Sequence, residues 1–253
     1  MKKFLILFLF SVCAFADLIQ VSAVGQSAIS KAMLTAKSGD TIILADGKYY
    51  EDVIVSSGVT LYSPNVFGAQ IIGNGREAVV ELKMNSSISG VVVSNGRNGI
   101  VTKNSGALIE NCYVHSNQGS GILAINRFPT IQNSIIANNL NSGIQGTSII
   151  SMEGELRRLT IADNRRNGIE IDGEQKVFLR DCLFFKNANK AIKVDKNELT
   201  LVNLLIFPEQ KDLVNKQEDL IARPLFTGKF YQLKDDSPGK NKASDGKDIG
   251  FVR

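Results

Sequence analysis

The chain has 253 residues, 43% of them hydrophobic, and 29 Lys and Arg against 25 Asp and Glu give a formal charge of +4. That length and apolar content suit one domain with a sizeable core. So mild a charge, without a Lys/Arg run, excludes a nucleic-acid-binding arm, and three Cys with a single His exclude a Cys/His zinc site.

Residues 1–16 read as an export signal, leaving 17–253 as a single domain. Lys2 and Lys3 form a basic start, Phe4 to Phe10 an apolar run, and Ala14-Phe15-Ala16 a small-residue cleavage site. The apolar run is too short to span a membrane. A lipoprotein site would use Cys13, but Val12 is bulkier than such a site tolerates, so cleavage after Ala16 is expected. The sequence implies no oligomeric state, and either a periplasmic or a secreted location fits.

Next, Gln26 to Lys37 reads as a short amphipathic helix, with Ala28, Ile29, Ala32 and Met33 on one face. Thr41–Leu44, Tyr49–Val55, Val59–Tyr62, Gln70–Ile72 and Val79–Leu82 read as strands between Gly and Asn turns. Then five segments repeat: Ile88 to Ile100, Ile109 to Ile122, Ile131 to Ile144, Leu156 to Ile169 and Leu179 to Ile192. Each opens on an aliphatic residue, passes an Asn, and closes on a small residue followed by Ile. The closing Ile residues are 22, 22, 25 and 23 positions apart, a period that indicates stacked coils of a β-solenoid. A helix before the first coil would cover its unpaired strand edge.

Asn117, Asn139, Asn164 and Asn187 stand eight residues after each opening aliphatic, and Asn95 stands one residue early. Stacked amides can hydrogen-bond along such a column, so a structural role is expected. Cys112 and Cys182 share one place in coils three steps apart. About 4.8 Å per step separates them by ~14 Å, beyond disulfide reach, so both read as buried thiols. From Phe207 the repeat decays. Lys211 to Glu218 is polar and reads as a possible helix, and the tail from Arg223 is expected to close the far end.

Two stretches outside the repeat resemble a known family. Ala36-Lys37-Ser38-Gly39-Asp40-Thr41-Ile42-Ile43-Leu44, followed by Asp46-Gly47-Lys48-Tyr49, resembles the opening coil of right-handed parallel β-helix proteins of the pectate lyase-like superfamily. Alginate lyase and chondroitinase B type lyases are nearest in flavour. Arg223 to Gly250, with Pro224-Leu225-Phe226, Ser237-Pro238 and Ser244-Asp245-Gly246-Lys247-Asp248-Ile249-Gly250, resembles the superfamily's closing segment. The resemblance implies an all-β, single-stranded right-handed parallel β-helix with an N-terminal capping helix and an irregular C-terminal cap. It is specific for fold and carries no chemistry. The paired Asp and His-Gly signature of hydrolases, the Asp-Pro-His type of epimerases and the pectin esterase pattern are absent.

Function on such a fold belongs to outward side chains. One outward column is Glu110, Gln132, Arg157 and Arg180, beside the turn column Asn111, Asn133, Arg158 and Asp181, with Arg165, Arg166 and Lys186 later in the same coils. Repeated Arg suits the carboxylates or sulfates of an acidic polysaccharide. Lyases of the resembling kind use an Arg or Lys base, which makes Arg157, Arg158 and Arg180 the catalytic candidates. A solvated basic face is the plainer reading. A second column places Glu170, Asp172 and Asp195 together as a possible calcium site, or as ion-pair partners of Lys193. Tyr113 and His115 point outward on one strand. Tyr113 offers a sugar-stacking ring and His115 an acid or base, unless both are simply surface. The expected protein is an exported β-helix that binds or cleaves an acidic polysaccharide by β-elimination. The alternative is a non-catalytic glycan-binding or envelope scaffold. Copper-site maturation is weakened by the scarcity of His and Met in the coils.

Overall fold

The computed structural model describes residues 16–152, 154–172, 176–194, 198–210 and 220–253. The export signal therefore lies, up to residue 15, outside the described residues, as does the possible helix at Lys211 to Glu218. No helix among the described residues is long and apolar enough to cross a membrane.

Three parallel sheets of nine, nine and seven strands run the length of the molecule, with a two-stranded antiparallel hairpin, Phe226–Thr227 with Gln232–Leu233, beside them. Each regular coil contributes one strand per sheet among the described residues. In one regular coil, Leu108–Glu110 belongs to sheet A, Tyr113–His115 to sheet B and Ile122–Phe128 to sheet C. The next coil begins with Thr130–Gln132 directly over Leu108–Glu110.

Period-2 alternation inside these short strands sends one or two aliphatics per strand inward. Sheet A supplies Ile88, Ile109, Ile131, Leu156 and Leu179, sheet B Val93, Val114, Ile136, Ile161 and Phe184, and sheet C the closing Ile residues, all fully buried. Like therefore stacks on like, which builds one continuous core. The small residue before each closing Ile has a steric cause. A Cβ on Gly121 would stand 2.5 Å from Ile136 Cγ2 and 2.7 Å from Asn139 Nδ2 of the next coil.

The buried Asn column is a hydrogen-bonded ladder. Asn117 Nδ2 donates to Asn139 Oδ1 at 2.9 Å, Asn139 Nδ2 to Asn164 Oδ1 at 3.0 Å and Asn164 Nδ2 to Asn187 Oδ1 at 2.9 Å. Asn95 stands outside it. The backbone N–H of Gly96 fills the rung, donating to Asn117 Oδ1 at 3.0 Å, while Asn95 sits at φ 68° in the corner before it. That corner column continues as Ser116, Asn138, Asp163 and Lys186, all left-handed.

Cys112 and Cys182 are free and fully buried, and burial pushes both thiols up to about 12. Neither should react with a thiol reagent at pH 8 while the fold is intact, and both should react once denatured, as peptide mass mapping would show. Labelling of either in the native protein would contradict their placement.

The helix is shorter than its pattern predicts, Ala28–Met33. Ser27 at its start is left-handed and provides no side-chain cap. Instead the carboxylate of Glu51 accepts the N–H groups of Ile29 and Ser30, both at 2.9 Å, and the Ser30 hydroxyl at 2.6 Å. This tie also explains why the strand expected over Tyr49–Val55 is two, Gly47–Tyr50 in sheet B and Val53–Val55 in sheet C. Glu51 is the buried corner between them.

The tail departs from expectation more sharply. After Leu220–Ile221, the last rung of sheet B, the chain turns back along the outside of that sheet. Leu233, Ala243 and Ile249 cover Leu183 and Leu205, and Phe251 reaches Val92, Ile135, Ala137 and Ala162. The tail is thus a strap over several coils.

Candidate functional site

Sheet A's outward row holds Ser89, Glu110, Gln132, Arg157 and Arg180 in strict register. Gln132 Nε2 donates to Glu110 at 2.7 Å. The residue after each opens the two-residue corner between sheets A and B and takes a positive φ: Gly90, Asn111, Asn133, Arg158 and Asp181. Asn and Asp accept that conformation readily and Arg does not.

Arg158 is held there by the strap. Its Nη2 donates to Asp245 Oδ2 at 2.6 Å and its Nη1 to the Asp248 carbonyl at 3.1 Å. The strap makes contact with the turn column coil by coil. Ser244 donates its N–H at 2.8 Å and its hydroxyl at 2.7 Å to the Asp181 carboxylate. Val252 exchanges backbone bonds of 2.9 Å with the Asn133 amide.

A cavity of about 420 Å³ opens where strap and sheet meet, lined by Gln132, Asn133, Arg157, Arg158, Asp245, Lys247, Val252 and Arg253. Four lining residues are cations and one is a carboxylate. Arg158 takes up Asp245, whose carboxyl it holds below the usual range. Arg157 has looser carboxylate neighbours. Its Nη2 is 3.7 Å from Asp245 and its Nε 4.0 Å from Asp181, both beyond hydrogen-bond reach, and Nε has no hydrogen-bond partner. With four cations against one carboxylate, such a lining can take an anion, and Arg157 stands farther from its carboxylate neighbours than Arg158 does.

The other sequence candidates divide. Arg180 does not line the cavity. It pairs with Glu155 at 2.5 Å and lies over the Phe178 ring. Arg165, Arg166 and Lys186 are exposed at the corner between sheets B and C, a different side of the coil from Arg157. There Arg166 pairs with Glu170 at 3.4 Å and Lys186 caps the Phe185 ring. Tyr113 and His115 do point out of sheet B, but the expected open surface is covered. The strap's Phe230 packs edge-on against Tyr113, whose other neighbours are Phe67 and the stacked His115 ring. Burial lowers the His115 pKa.

Glu170 does not fit a calcium ion. Burial raises its pKa, but Lys193 at 3.0 Å, Ser142 at 2.8 Å, Asn167 at 3.1 Å and nearby Arg166 outweigh that, so it stays below the usual range. A carboxylate already neutralised by two cations is a poor hard-cation ligand. Asp172 is exposed nearby, and Asp195 lies outside the described residues. Among the described residues no group of three or more His, Cys, Asp or Glu is placed to hold a metal.

Sequence reasoning missed Lys247 and Arg253. Both lie some ninety residues from Arg157, in a stretch recognised only as a closing segment.

A family model described as "Right handed beta helix region" matches residues 42–204. The chain belongs to that family. The handedness expected from its opening and closing segments is thereby shown. Among solved structures, this β-helix is similar to pectate lyase Pel9A at 12% identity and TM-score 0.58, over 96% of this chain and 98% of that one. It is also similar to an alginate lyase from Paenibacillus sp. str. FPU-7 at 17% identity and TM-score 0.53, over 75% and 76%. No curated protein matches the β-helix by sequence. At such identities the likeness is one of fold.

Proposed function

We propose that this β-helix is an exported protein that binds an acidic polysaccharide, with a carboxylate or sulfate of the glycan seated on Arg157. The open, cation-rich cavity between sheet A and the strap carries the reading. Lys247 and Arg253 add charge beside Arg157, and the two similar structures bear the names of lyases for alginate and pectate. Cleavage by β-elimination would need a base at the same place, and Arg157 is the available one. Binding without cleavage needs only what the cavity offers.

Gel retardation by alginate, pectate, chondroitin and heparin tests the reading, run alongside absorbance at the unsaturated-uronate band with calcium and with chelator. One polymer should retard the protein, and Arg157→Ala should weaken that binding roughly tenfold or more, the worth of a charge-assisted fork. Added salt should weaken it too. A rise in absorbance on the bound polymer, lost in Arg157→Ala, would make the protein a lyase. Retardation by none of the four overturns the reading.

A further inference from the structure

At the opposite end, and on a different sheet, lies a larger cavity of about 610 Å³. Its floor is the outward row of sheet C, where Ile54, Glu81 and Val101 stand in register. One wall is the capping helix, through Ser30, Met33 and Leu34. Apolar groups here are unusually open to solvent. Leu34 is 85% exposed and Ile54 56% exposed.

Asp52 lines this cavity, and its side chain is only 7% exposed. Its Oδ2 is buried with no hydrogen-bond partner, and its Oδ1 accepts one long bond of 3.4 Å from the Asn74 N–H. The nearest cation, Arg76 Nε, is 3.9 Å away on a side chain that is 80% exposed. Native proteins rarely leave a buried carboxylate oxygen so poorly served, because the desolvation it suffers is not repaid. Burial accordingly raises the Asp52 pKa, only partly offset by Asn74 and Arg76.

The charge sign separates this site from the proposed anion site. Its lining carries three carboxylates, Asp52, Glu77 and Glu81, against two cations, Arg76 and Lys103. Glu81 is neutralised by Lys83 at 2.6 Å from outside the lining. Asp52 has only the long Asn74 bond and the distant Arg76.

We propose that this cavity binds a primary ammonium carried on a short aliphatic body, with Asp52 as its acceptor. The ammonium supplies Asp52 with both a donor and a closer counter-charge than Arg76 at 3.9 Å, while a hydroxyl supplies only the donor. Ile54, Val101 and Leu34 cover the aliphatic body, and its burial favours binding. The proposal does not depend on polysaccharide binding, which uses the far side of the molecule.

The test is a titration of the full chain, labelled at methionine methyls, with hexylammonium and with hexanol. The two probes share a body and differ in charge. The Met33 signal should shift saturably with hexylammonium, which should bind roughly tenfold tighter than hexanol. Asp52→Asn should bring hexylammonium down to the hexanol level while melting no lower than the parent, since a poorly compensated buried charge is gone. Ile54→Ser should weaken both probes and serves as the deciding variant if Asp52→Asn does not fold. Equal binding of hexanol, an unshifted Met33 signal, or undiminished hexylammonium binding in the variants overturns the proposal.

Discussion

Asn139→Ala is expected to destabilise the protein by about 3–5 kcal/mol, because several buried groups lose partners worth about 1–3 kcal/mol each. The Asn139 amide makes five bonds. Oδ1 accepts from the Asn117 N–H at 3.2 Å and from Asn117 Nδ2 at 2.9 Å. Nδ2 donates to the carbonyls of Val114 at 3.3 Å and Ala137 at 3.2 Å and to Asn164 Oδ1 at 3.0 Å. The site is fully buried, so water cannot replace any of them. Asn139→Asp keeps the shape but turns a donor into an acceptor facing three oxygens, and should be at least as damaging above the carboxyl pKa. Urea melts of both variants, with exposed Asn189→Ala as a control within about 0.5 kcal/mol of the parent, check this. A loss at Asn139 no larger than the control's would mean the ladder is not a stabilising element.

The second large effect concerns the strap. Phe251→Ala should cost about 3–5 kcal/mol, the range for an aromatic removed from a packed site. Phe251 is buried, stacks on Phe67 with ring centres 5.2 Å apart, and covers the outward side chains of four coils. Its N–H also donates to the Thr160 hydroxyl at 2.9 Å, a bond the variant keeps. Loosening here should reach the proposed anion site, because the next two residues, Val252 and Arg253, line that cavity. The variant should therefore melt earlier and bind acidic polymer more weakly at temperatures where it is still folded. Weaker stability with unchanged binding would show that the strap is not a wall of the site.

The same strap has an acid-sensitive clasp. The hydrogen bond from Arg158 holds Asp245 below the usual carboxylate range. A depressed folded-state pKa adds stability above the unfolded value of about 3.9 and loses it as pH falls through the lowered value. The melting temperatures of the parent and Asp245→Asn should thus differ at pH 6 and converge as pH falls below about 4. A gap that stays constant down to pH 2 would dissociate Asp245 from the clasp.

What was legible beforehand follows from how local a signal is. Successive closing Ile residues and successive members of the Asn column sit one coil apart, and a repeat of that length states its own stacking. Direct register then turned each sequence column into a spatial one, which is why Arg157 and Arg180 were correctly placed in one outward row. Their partners were not legible, because which cation stays open depends on what crosses it. Arg158 stands next to Arg157 in sequence and both line the cavity, yet Arg158 is hydrogen-bonded to the strap's Asp245 at 2.6 Å while Arg157 stays 3.7 Å from it.

The sequence by itself determined the solenoid, its inward aliphatic ladders and the structural role of the stacked amides, because each depends on residues within two coils of one another. Only the tertiary structure decided the rest. The tail's return across sheet B joins residues about sixty to one hundred and twenty positions apart, through bonds to Asp181, Arg158 and Asn133. No period announces such contacts. They packed Phe230 against Tyr113, made Arg158 part of the clasp and brought Lys247 and Arg253 to the cavity that Arg157 lines.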